Sequence, residues 1–437
     1  MICRELPLQQ PFVSLLRLCP GNAMKVLFIS QYFWPESFRG NDIAFDLAQR
    51  GHQVTVLTAK PNYPSGKFFE GYGFFHPMEE WYRGVRIVRT PIVPRGRGRG
   101  WVLALNYASF VVFGFFTALR RLGRDYEVIF VHEVSPIFAA LPGVWMKRRL
   151  RIPMVLWVLD LWPESLTAAS KVRSPVLIRW VTRIVRQVYN SADVILMSSR
   201  SFAASIRSNT SDPDKSLEYL PNWAEDVFSK RGELPGSLAQ ALPEGFKVMF
   251  AGNLGEAQDF ATILAAAQLT LGQAVNWLLV GSGRKVPWVQ HQIAERGLTN
   301  VFLLGHHPIE TMPLFFARAD VMLLSLADNP IFRITVPAKL QAYMASGKVI
   351  IGVLAGEGAD ILRASGGGLV VSPGNAQALA DAVLKVRQMT PGERLDIASK
   401  SRRYYEEHFA KEQRIDRLEE LFERLAAEGG RREKQKS

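Results

Sequence analysis

The stretch from Arg333 to Gly347 brings a cation to the beginning of a predicted helix. Thr335 can cap that helix and Pro337 suits its first turn, so the side chain of Lys339 would project close to the helix N-terminus. Backbone amides at a helix N-terminus, together with one or two cations, can stabilise a leaving diphosphate without a metal. We therefore predict a phosphate site at Pro337 and Lys339, with Arg333 in support. A surface lysine and a salt-bridged arginine are the alternatives.

Two glycine loops follow successive predicted strands in the same half of the chain. Each loop alone is a weak signal, because short glycine loops are common between strands and helices. Two loops at the carboxyl ends of neighbouring strands favour nucleotide binding, because ligands of doubly wound sheets lie at that edge. The predicted positions are Gly252, Asn253, Gly255, Gln258, Gly281, Gly283 and Arg284.

A pair of carboxylates follows the apolar run at 154–159. Asp160 and Glu164 would lie at the ligand edge of a buried strand, where a carboxylate can orient a sugar hydroxyl or accept its proton. We predict both as catalytic residues. In the alternative interpretation they cap a helix whose first turn contains Pro163, and Glu164 stabilises its positive end.

The first predicted strand also ends in a loop that contains a glycine. Gly40 and Asn41 precede a helix, and a glycine there lets backbone amides approach a ligand closely. We predict that Gly40, Asn41 and Asp160 contact the second substrate. An ordinary strand-to-helix turn is the alternative.

Two histidine-containing pairs, His132-Glu133 and His306-His307, are candidates for metal ligands. Neither pair has partners at the spacing of a zinc or oxygen-ligand site, and adjacent residues point apart on any regular element. We therefore predict structural histidines, no metal and no other cofactor. A Walker-type loop and a Gly-x-Ser-x-Gly elbow are both missing from the sequence.

Two series of short apolar strands, alternating with amphipathic segments, would position these residues. The first series is predicted at 26–30, 54–58, 128–132, 155–160 and 194–198. The second is predicted at 248–251, 277–280, 301–304, 321–324, 349–353 and 369–371. Short continuous apolar strands between helices are typical of parallel sheets covered on both faces. The predicted fold class is α/β, with two Rossmann-like doubly wound parallel-sheet domains.

Length and composition agree with two domains. A chain of 437 residues is too long for one ordinary core, and 48% hydrophobic with 21% charged residues is the balance of a globular protein. We predict a leader at 1–23 outside the fold, an N-terminal domain at 24–225 and a linker at 226–246. A C-terminal domain at 247–410 would follow, and then a C-terminal helix and charged tail at 411–437, solvated from Gly429 onward.

The charge and the cysteines limit the partners and the compartment. A formal net charge of +13 is compatible with phosphates, lipid head groups or nucleic acid. The basic residues do not alternate with aromatic platforms, so no nucleic-acid partner is expected. Cys3 and Cys19 both precede Met24, which fits a reducing cytoplasm. Arg17 interrupts the apolar patch of the leader, which is therefore a poor signal peptide.

One uncharged stretch, from Trp101 to Leu119, has arginines at both ends. It could span a membrane, pack as a buried helix of the first domain, or lie in a membrane interface with its aromatic side chains in lipid. Asn106 and Ser109 weaken the first interpretation. The other two remain open.

Together these motifs resemble those of the retaining glycosyltransferases of family four, from Met24 to about Ala426. The most specific parts are Gly40 with the segment 47–56, Leu220-Pro221-Asn222-Trp223, Gly252 to Gly255, Leu279 to Gly283, and Val336 to Gly347. The chain most resembles the subgroup that builds exopolysaccharide, capsule and O-antigen units, such as the colanic acid transferases. The sequence Asp-Leu-Trp-Pro-Glu recurs in that subgroup. The resemblance implies GT-B architecture, with two domains that face a cleft.

Two departures affect the residues that the resemblance carries over. Of the paired glutamates of the family, the second position is Gln341 here and the first falls near Arg333, and Gln258 stands where a basic residue is common. The resemblance implies that Gln341 hydrogen-bonds the ribose hydroxyls. It assigns Lys339 as the cation that contacts the diphosphate, with Arg333 or Arg284 in support.

The resemblance implies a hexosyltransferase that uses a nucleotide-sugar donor and retains the donor's anomeric configuration. The acceptor would be a lipid-linked saccharide, carried on polyprenyl diphosphate at the cytoplasmic membrane surface. The protein would then be cytoplasmic and peripheral on the inner face of the membrane. The alternatives are a nucleotide-sugar epimerase of the same architecture and a non-enzymatic basic membrane-binding module.

Overall fold

The structure is a computed structural model that describes residues 23–434, apart from 74–76, 97, 99, 170–173, 230–235 and 241. Apart from Ala23, the predicted leader lies outside the described residues, and so do both cysteines. The flanking arginines Arg97 and Arg99 also lie outside them.

An eight-stranded sheet forms the centre of the first domain. Its strands are β1 (Lys25–Ile29), β2 (Gln53–Ala59), β3 (Glu79–Tyr82), β4 (Val85–Thr90), β5 (Val128–Glu133), β6 (Met154–Val158), β7 (Val194–Met197) and β8 (Ser216–Tyr219). They lie in the order β3-β4-β2-β1-β5-β6-β7-β8, and only the pair of β3 with β4 is antiparallel. The chain moves outward from β1 to β4 and returns at β5, so the topological switch point lies between β1 and β5.

Helices cover both faces of this sheet, because alternate residues of each strand point to opposite sides. Leu27 and Ile29 of β1 belong to one core cluster, whereas Val26 and Phe28 belong to another. The helices are α1 (Arg39–Gln49), α2 (Gly100–Arg121), α3 (Leu141–Leu150), α4 (Glu164–Ala169), α5 (Pro175–Ser191) and α6 (Phe202–Ser208). A short 3₁₀ helix, Ile137–Ala140, precedes α3.

The second domain contains a six-stranded sheet in which all neighbours are parallel. Its strands are β9 (Phe246–Ala251), β10 (Val275–Val280), β11 (Val301–Gly305), β12 (Val321–Ser325), β13 (Val349–Val353) and β14 (Gly368–Val371). The order β11-β10-β9-β12-β13-β14 places the switch point between β9 and β12. The predicted fold class, two Rossmann-like parallel sheets, is confirmed.

The helices of this half are mostly short. They are α7 (Gly236–Gln240), α8 (Phe260–Leu269), α9 (Val286–Glu295), α10 (Met312–Arg318), α11 (Pro330–Ile334), α12 (Ala338–Ala345), α13 (Glu357–Ser365), α14 (Ala376–Gln388) and α15 (Pro391–His408). Three 3₁₀ helices, Asp226–Ser229, Glu256–Gln258 and Ile309–Thr311, complete the set. The predicted linker at 226–246 begins after the end of β8 and overlaps β9 at its first residue, Phe246.

The end of the chain returns to the first domain. The last helix, α16 (Lys411–Lys434), places Ile415, Leu418 and Phe422 in the cluster with Phe28. The Phe422 ring lies 5.6 Å from the ring of Phe130 on β5. The helix continues through Gly429 to Lys434, so the stretch predicted as a solvated tail begins within α16.

The uncharged segment forms α2, which has one face on the first sheet and the other exposed. Asn106 accepts a hydrogen bond from Gln31 at 2.9 Å and donates to the Val93 carbonyl at 2.6 Å, so its polar side chain faces the domain. Phe110 is fully buried, whereas Phe113 and Phe116 are 42% and 47% exposed. Within the described chain, α2 is the one helix long and apolar enough to cross a membrane, and this test uses length and composition only.

The two domains also touch through one carboxylate at the start of α13. Glu357 accepts hydrogen bonds from the backbone N–H groups of Arg200 at 2.8 Å and Ser201 at 2.6 Å, and from the Ser199 hydroxyl. A carboxylate that accepts several N–H donors is a charge-assisted contact. Glu357 therefore joins the second domain to the first through specific hydrogen bonds.

Candidate functional site

A cavity of about 420 Å³ lies at the ligand edge of the second sheet. Its walls are the loops that follow β9, β10 and β11, one side of α12, and residues from the junction with the first domain. Of the predicted residues, Gly252, Asn253, Gly281 and Lys339 line it. Four of the predicted donor-binding residues therefore share one cavity.

Lys339 is the predicted cation of this cavity, and it lies in the first turn of α12. Its Nζ is buried without a hydrogen-bond partner among the described residues. The nitrogen lies 3.9 Å from the centre of the Phe250 ring. Burial lowers the pKa of Lys339 to about 7. A buried donor without a partner is costly, so an anion that accepts its hydrogen bonds would bind favourably here.

The glycines beside Lys339 are required by close packing. A Cβ atom on Gly252 would lie 2.5 Å from Cε of Lys339, and the φ of Gly252 is +126°. A Cβ atom on Gly281 would lie 1.9 Å from the carbonyl oxygen of Gly252. The two loops thus interlock, and any larger residue would separate them.

The other predicted residues of these loops support the loops themselves. Gln258 accepts a hydrogen bond from the Gly255 N–H at 3.0 Å, which closes the turn before α8. Gly283 packs so closely on Leu254 that a Cβ atom would lie 2.2 Å from the Leu254 carbonyl oxygen. Arg284 is exposed. None of these residues lines the cavity.

Arg333 and Gln341 also lie away from the cavity lining. Arg333 forms a forked ion pair with Asp328, at 2.9 and 3.0 Å, and both side chains are more than half exposed. Gln341 is fully buried, and the amide orientation that satisfies its neighbours donates to the carbonyls of Pro337 and Ala338 at 3.1 Å. The predicted phosphate and ribose roles of these two residues find no geometric support.

The start of α12 differs in detail from its prediction. Pro337 is the N-cap residue, and the helix begins at Ala338. Thr335 does not cap α12. Its hydroxyl donates to the Ile331 carbonyl at 2.8 Å and so ends α11. The predicted placement of Lys339 near a helix N-terminus is correct.

Asp160 lies two residues beyond the end of β6, at the ligand edge of the first sheet. The Ser165 hydroxyl donates to its carboxylate, and burial raises the pKa of Asp160 above its usual value. Glu133, at the end of the neighbouring β5, is fully buried, and burial together with Asp160 raises its pKa. Glu164 lies in the first turn of α4 and accepts a hydrogen bond from Ser205. Asp160 and Glu164 do not line the cavity of Lys339.

Gly40 and Asn41 lie in the first turn of α1. A Cβ atom on Gly40 would lie 2.7 Å from Nδ1 of His132, so only glycine permits this contact. Asn41 accepts a hydrogen bond from the Trp34 N–H at 3.0 Å and donates to the Glu36 carbonyl at 2.7 Å. Asn41 therefore shapes the loop, and Gly40 brings the helix against β5.

The histidines occupy two different environments. His132 is buried beside Ser30, with 3.1 Å between Nδ1 and the hydroxyl oxygen, and burial lowers its pKa to about 3. Its ring is therefore neutral at ordinary pH. His306 and His307 instead line the cavity of Lys339. No group of three or more His, Cys, Asp or Glu residues that could hold a metal occurs in the described part of the chain.

The cavity lining also includes two charged residues and two histidines that the sequence analysis does not assign to the site: Arg39, Glu225, His306 and His307. The two histidines follow β11, so the rule that found the glycine loops after β9 and β10 also covers them. Arg39 directly precedes Gly40. Glu225 has no comparable signal, because its position depends on how the chain crosses between the domains.

Both halves of the chain match known families. Residues 41–223 match the glycosyl transferase 4-like domain, and residues 245–388 match the glycosyl transferases group 1. WbjE of Pseudomonas aeruginosa, named as a glycosyltransferase, is 28% identical over 58% of this chain. That match spans 64% of WbjE, which is less than two thirds of its length. WcaI of Escherichia coli K12, named as a glycosyl transferase of colanic acid biosynthesis, is 23% identical over 74% of this chain and 82% of WcaI.

Solved structures share the fold. Sucrose-phosphate synthase from Thermosynechococcus elongatus has a TM-score of 0.69 at 17% identity, and the match covers 92% of this chain and 99% of that one. HepE of Anabaena, in complex with UDP-glucose, has a TM-score of 0.62 at 19% identity over 91% of this chain and 99% of HepE. The chain therefore belongs to the glycosyltransferases of family four, with GT-B architecture in which a glycosyl transferase 4-like domain precedes a group 1 domain.

Proposed function

We propose that the protein transfers a hexose-type sugar from a nucleoside diphosphate sugar to a saccharide linked to polyprenyl diphosphate. The anomeric configuration of the donor would be retained, and the product would serve the synthesis of exopolysaccharide, capsule or O-antigen. The name of WcaI, which refers to colanic acid biosynthesis, supports this polysaccharide context. The complex of HepE with UDP-glucose supports a nucleotide-sugar donor.

The observation that carries the proposal is the unpartnered ammonium of Lys339, beside Gly252 at the switch point of the second sheet. A diphosphate would supply the missing hydrogen-bond acceptors. As the glycosidic bond breaks, negative charge develops on that diphosphate, and Lys339 with the first amides of α12 would stabilise it. This interaction strengthens towards the transition state, which is the requirement for catalysis.

The acceptor would lie at the ligand edge of the first sheet. Asp160 would orient the acceptor hydroxyl or accept its proton, and the raised pKa of this carboxyl brings it closer to the working pH of a general base. Gly40 and Asn41 would form the adjacent wall, and Glu164 would support the segment that follows Asp160. No metal enters this scheme.

The exposed side of α2 supports a membrane-bound acceptor. We define the apolar surface as the exposed large hydrophobic residues of α2 and α5: Trp101, Leu105, Val112, Phe113, Phe116, Leu119, Val176, Leu177 and Trp180. Both helices cover the same face of the first sheet, since Ala118 and Val181 belong to one core cluster. Arg120 and Arg121 lie in the last turn of α2. Aromatic residues with nearby cations favour an anionic membrane interface, so the protein would bind the cytoplasmic membrane peripherally.

The test is incubation of the purified protein with a panel of UDP and GDP sugars, with and without a membrane lipid extract. We expect a new glycolipid only when one particular donor and the extract are both present, and no product with Lys339→Ala. Conversion of the donor sugar without the extract would instead identify an epimerase. Binding to the lipid without any change in any donor would identify a binding module.

A further inference from the structure

The cavity of Lys339 receives one cation from the first domain. Arg39 lies at the beginning of α1, yet its side chain lines the same cavity as Lys339. Its Nη2 forms an ion pair with Oε1 of Glu225 at 2.7 Å, and its Nε donates to the carbonyl of Trp223 at 2.9 Å. The side chain of Arg39 is only 16% exposed. It is thus held at the point where the chain passes between the domains.

Trp223, whose carbonyl accepts the hydrogen bond from Arg39, is itself held in place. Trp223 is fully buried, its ring stacks on Trp157 at 5.6 Å, and its indole N–H donates to Asp42 at 3.0 Å. A guanidinium group has five N–H donors, and these contacts use only two of them within the described structure. The remaining donors form a planar fork that suits phosphate oxygens.

The charge of a diphosphate calls for a second cation. Lys339 and Arg39 are the one lysine and the one arginine among the described residues that line the cavity. The cations predicted in support do not line it, since Arg333 pairs with Asp328 and Arg284 is exposed. Asn253 and Gln258 in the first glycine loop are uncharged.

We propose that Arg39 is a donor-binding residue, which contacts the diphosphate from the first domain while Lys339 contacts it from the second. Glu225 is the internal counter-ion that holds the guanidinium in place before the donor binds. The inference rests on the proposed function, because it requires that the cavity bind a nucleoside diphosphate sugar. Its consequence is that the leaving diphosphate connects the two domains.

The test is calorimetric titration with UDP or GDP, whichever the wild-type protein binds, and with the corresponding monophosphate. Arg39→Ala should weaken diphosphate binding roughly tenfold to a hundredfold, as expected for a charge-assisted contact, and should weaken monophosphate binding much less. Arg39→Lys should recover part of the loss. If Arg39→Ala does not fold, Arg39→Gln keeps a donor for the Trp223 carbonyl and removes the charge.

Glu225→Gln gives a prediction of opposite sign. Removal of the counter-ion should strengthen diphosphate binding by roughly two- to tenfold, because the guanidinium is no longer neutralised. If the ion pair only ties the domains together, Glu225→Gln and Arg39→Ala should both lower the unfolding temperature and neither should discriminate diphosphate from monophosphate. That result would overturn the inference.

Lys339→Ala separates this inference from the proposed function. If Lys339→Ala loses diphosphate affinity while Arg39→Ala and Arg39→Gln bind like the wild type, the inference about Arg39 is wrong and the donor site stands. If the wild-type protein binds neither diphosphate, the proposed function and the inference both fail.

Discussion

The ammonium nitrogen of Lys339 lies 3.9 Å from the centre of the Phe250 ring, and this buried cation has no hydrogen-bond acceptor in the described structure. The ring attracts the charge electrostatically, but it cannot replace the lost hydration. The protein groups alone therefore leave this buried cation in an unfavourable environment. A donor that supplies phosphate oxygens would relieve it.

We expect Lys339→Ala to weaken the binding of a nucleoside diphosphate by about 1.5–3 kcal/mol, because the substitution removes a charge-assisted contact. Titration calorimetry measures this change, and circular dichroism should show an unchanged fold. Diphosphate affinity equal to that of the wild type would remove Lys339 from the site.

Donor binding should depend on pH through Lys339. Burial lowers the pKa of this lysine to about 7, and a bound diphosphate would raise that pKa because it favours the charged amine. The affinity should therefore be highest below about pH 7 and should fall as the pH rises above it, with proton uptake on binding near pH 8. Calorimetry in buffers of different ionisation enthalpy measures this uptake. Lys339→Arg is the control, because arginine stays charged, and equal uptake in both proteins would contradict the assignment.

We expect Asp160→Asn to reduce turnover on the order of a hundredfold or more, with little effect on donor affinity, because the amide cannot accept the acceptor's proton. The wild-type enzyme should lose activity as the pH falls below the raised pKa of Asp160, because the protonated carboxyl cannot accept a proton. Initial rates at saturating donor give the first effect, and a rate profile against pH gives the second. Near-normal turnover of the variant would return Asp160 to a structural role beside Ser165.

Transfer should proceed without a divalent metal, because Lys339 and the N-terminus of α12 can serve the leaving diphosphate. The measurement is the transfer rate in the presence of EDTA, compared with the rate after magnesium or manganese is added. The prediction fails if EDTA abolishes transfer and the metal restores it.

The apolar surface should bind anionic liposomes, and each nearby cation should add about 1 kcal/mol on an anionic leaflet. The double substitution of Phe113 and Phe116 by Ser should release the protein from vesicles and leave its circular dichroism unchanged, since both residues lie on the exposed side of α2. Phe110→Ser is the matched control. That ring is fully buried, so this substitution should cost stability instead.

High salt should also release the wild-type protein from the vesicles. If the wild-type protein does not sediment with anionic liposomes even at low salt, the exposed side of α2 has another role.

Local sequence predicts the strands that carry apolar runs, but it does not predict β3, β4 and β8. The strand β4 contains Arg86 and Arg89, and Arg89 is fully buried. Glu79 and Glu80 of the antiparallel strand β3 neutralise both arginines, with Nε to carboxylate distances of 2.7 and 2.5 Å. Those pairs form across two strands, so the charges look like surface residues until the tertiary fold is known.

The candidate site, like the fold, is only partly predictable from the sequence. Loops after parallel strands share one edge of the sheet, and this rule places Gly252, Gly281 and Lys339 together from sequence alone. It cannot place Arg39 or Glu225, which reach the cavity from outside the second sheet. Arg333, predicted from its place before α12, and Gln341, which the family resemblance selected, instead make local contacts with Asp328 and with the first turn of α12.

The return of α16 to the first domain has a consequence for how the protein is made. Ile415, Leu418 and Phe422 complete the core beside Phe28 and Phe130, yet they leave the ribosome after every strand of the second domain. The second domain has all its own strands by Val371 and can fold while synthesis continues. The core of the first domain is therefore completed only after the strands of the second domain have been synthesised.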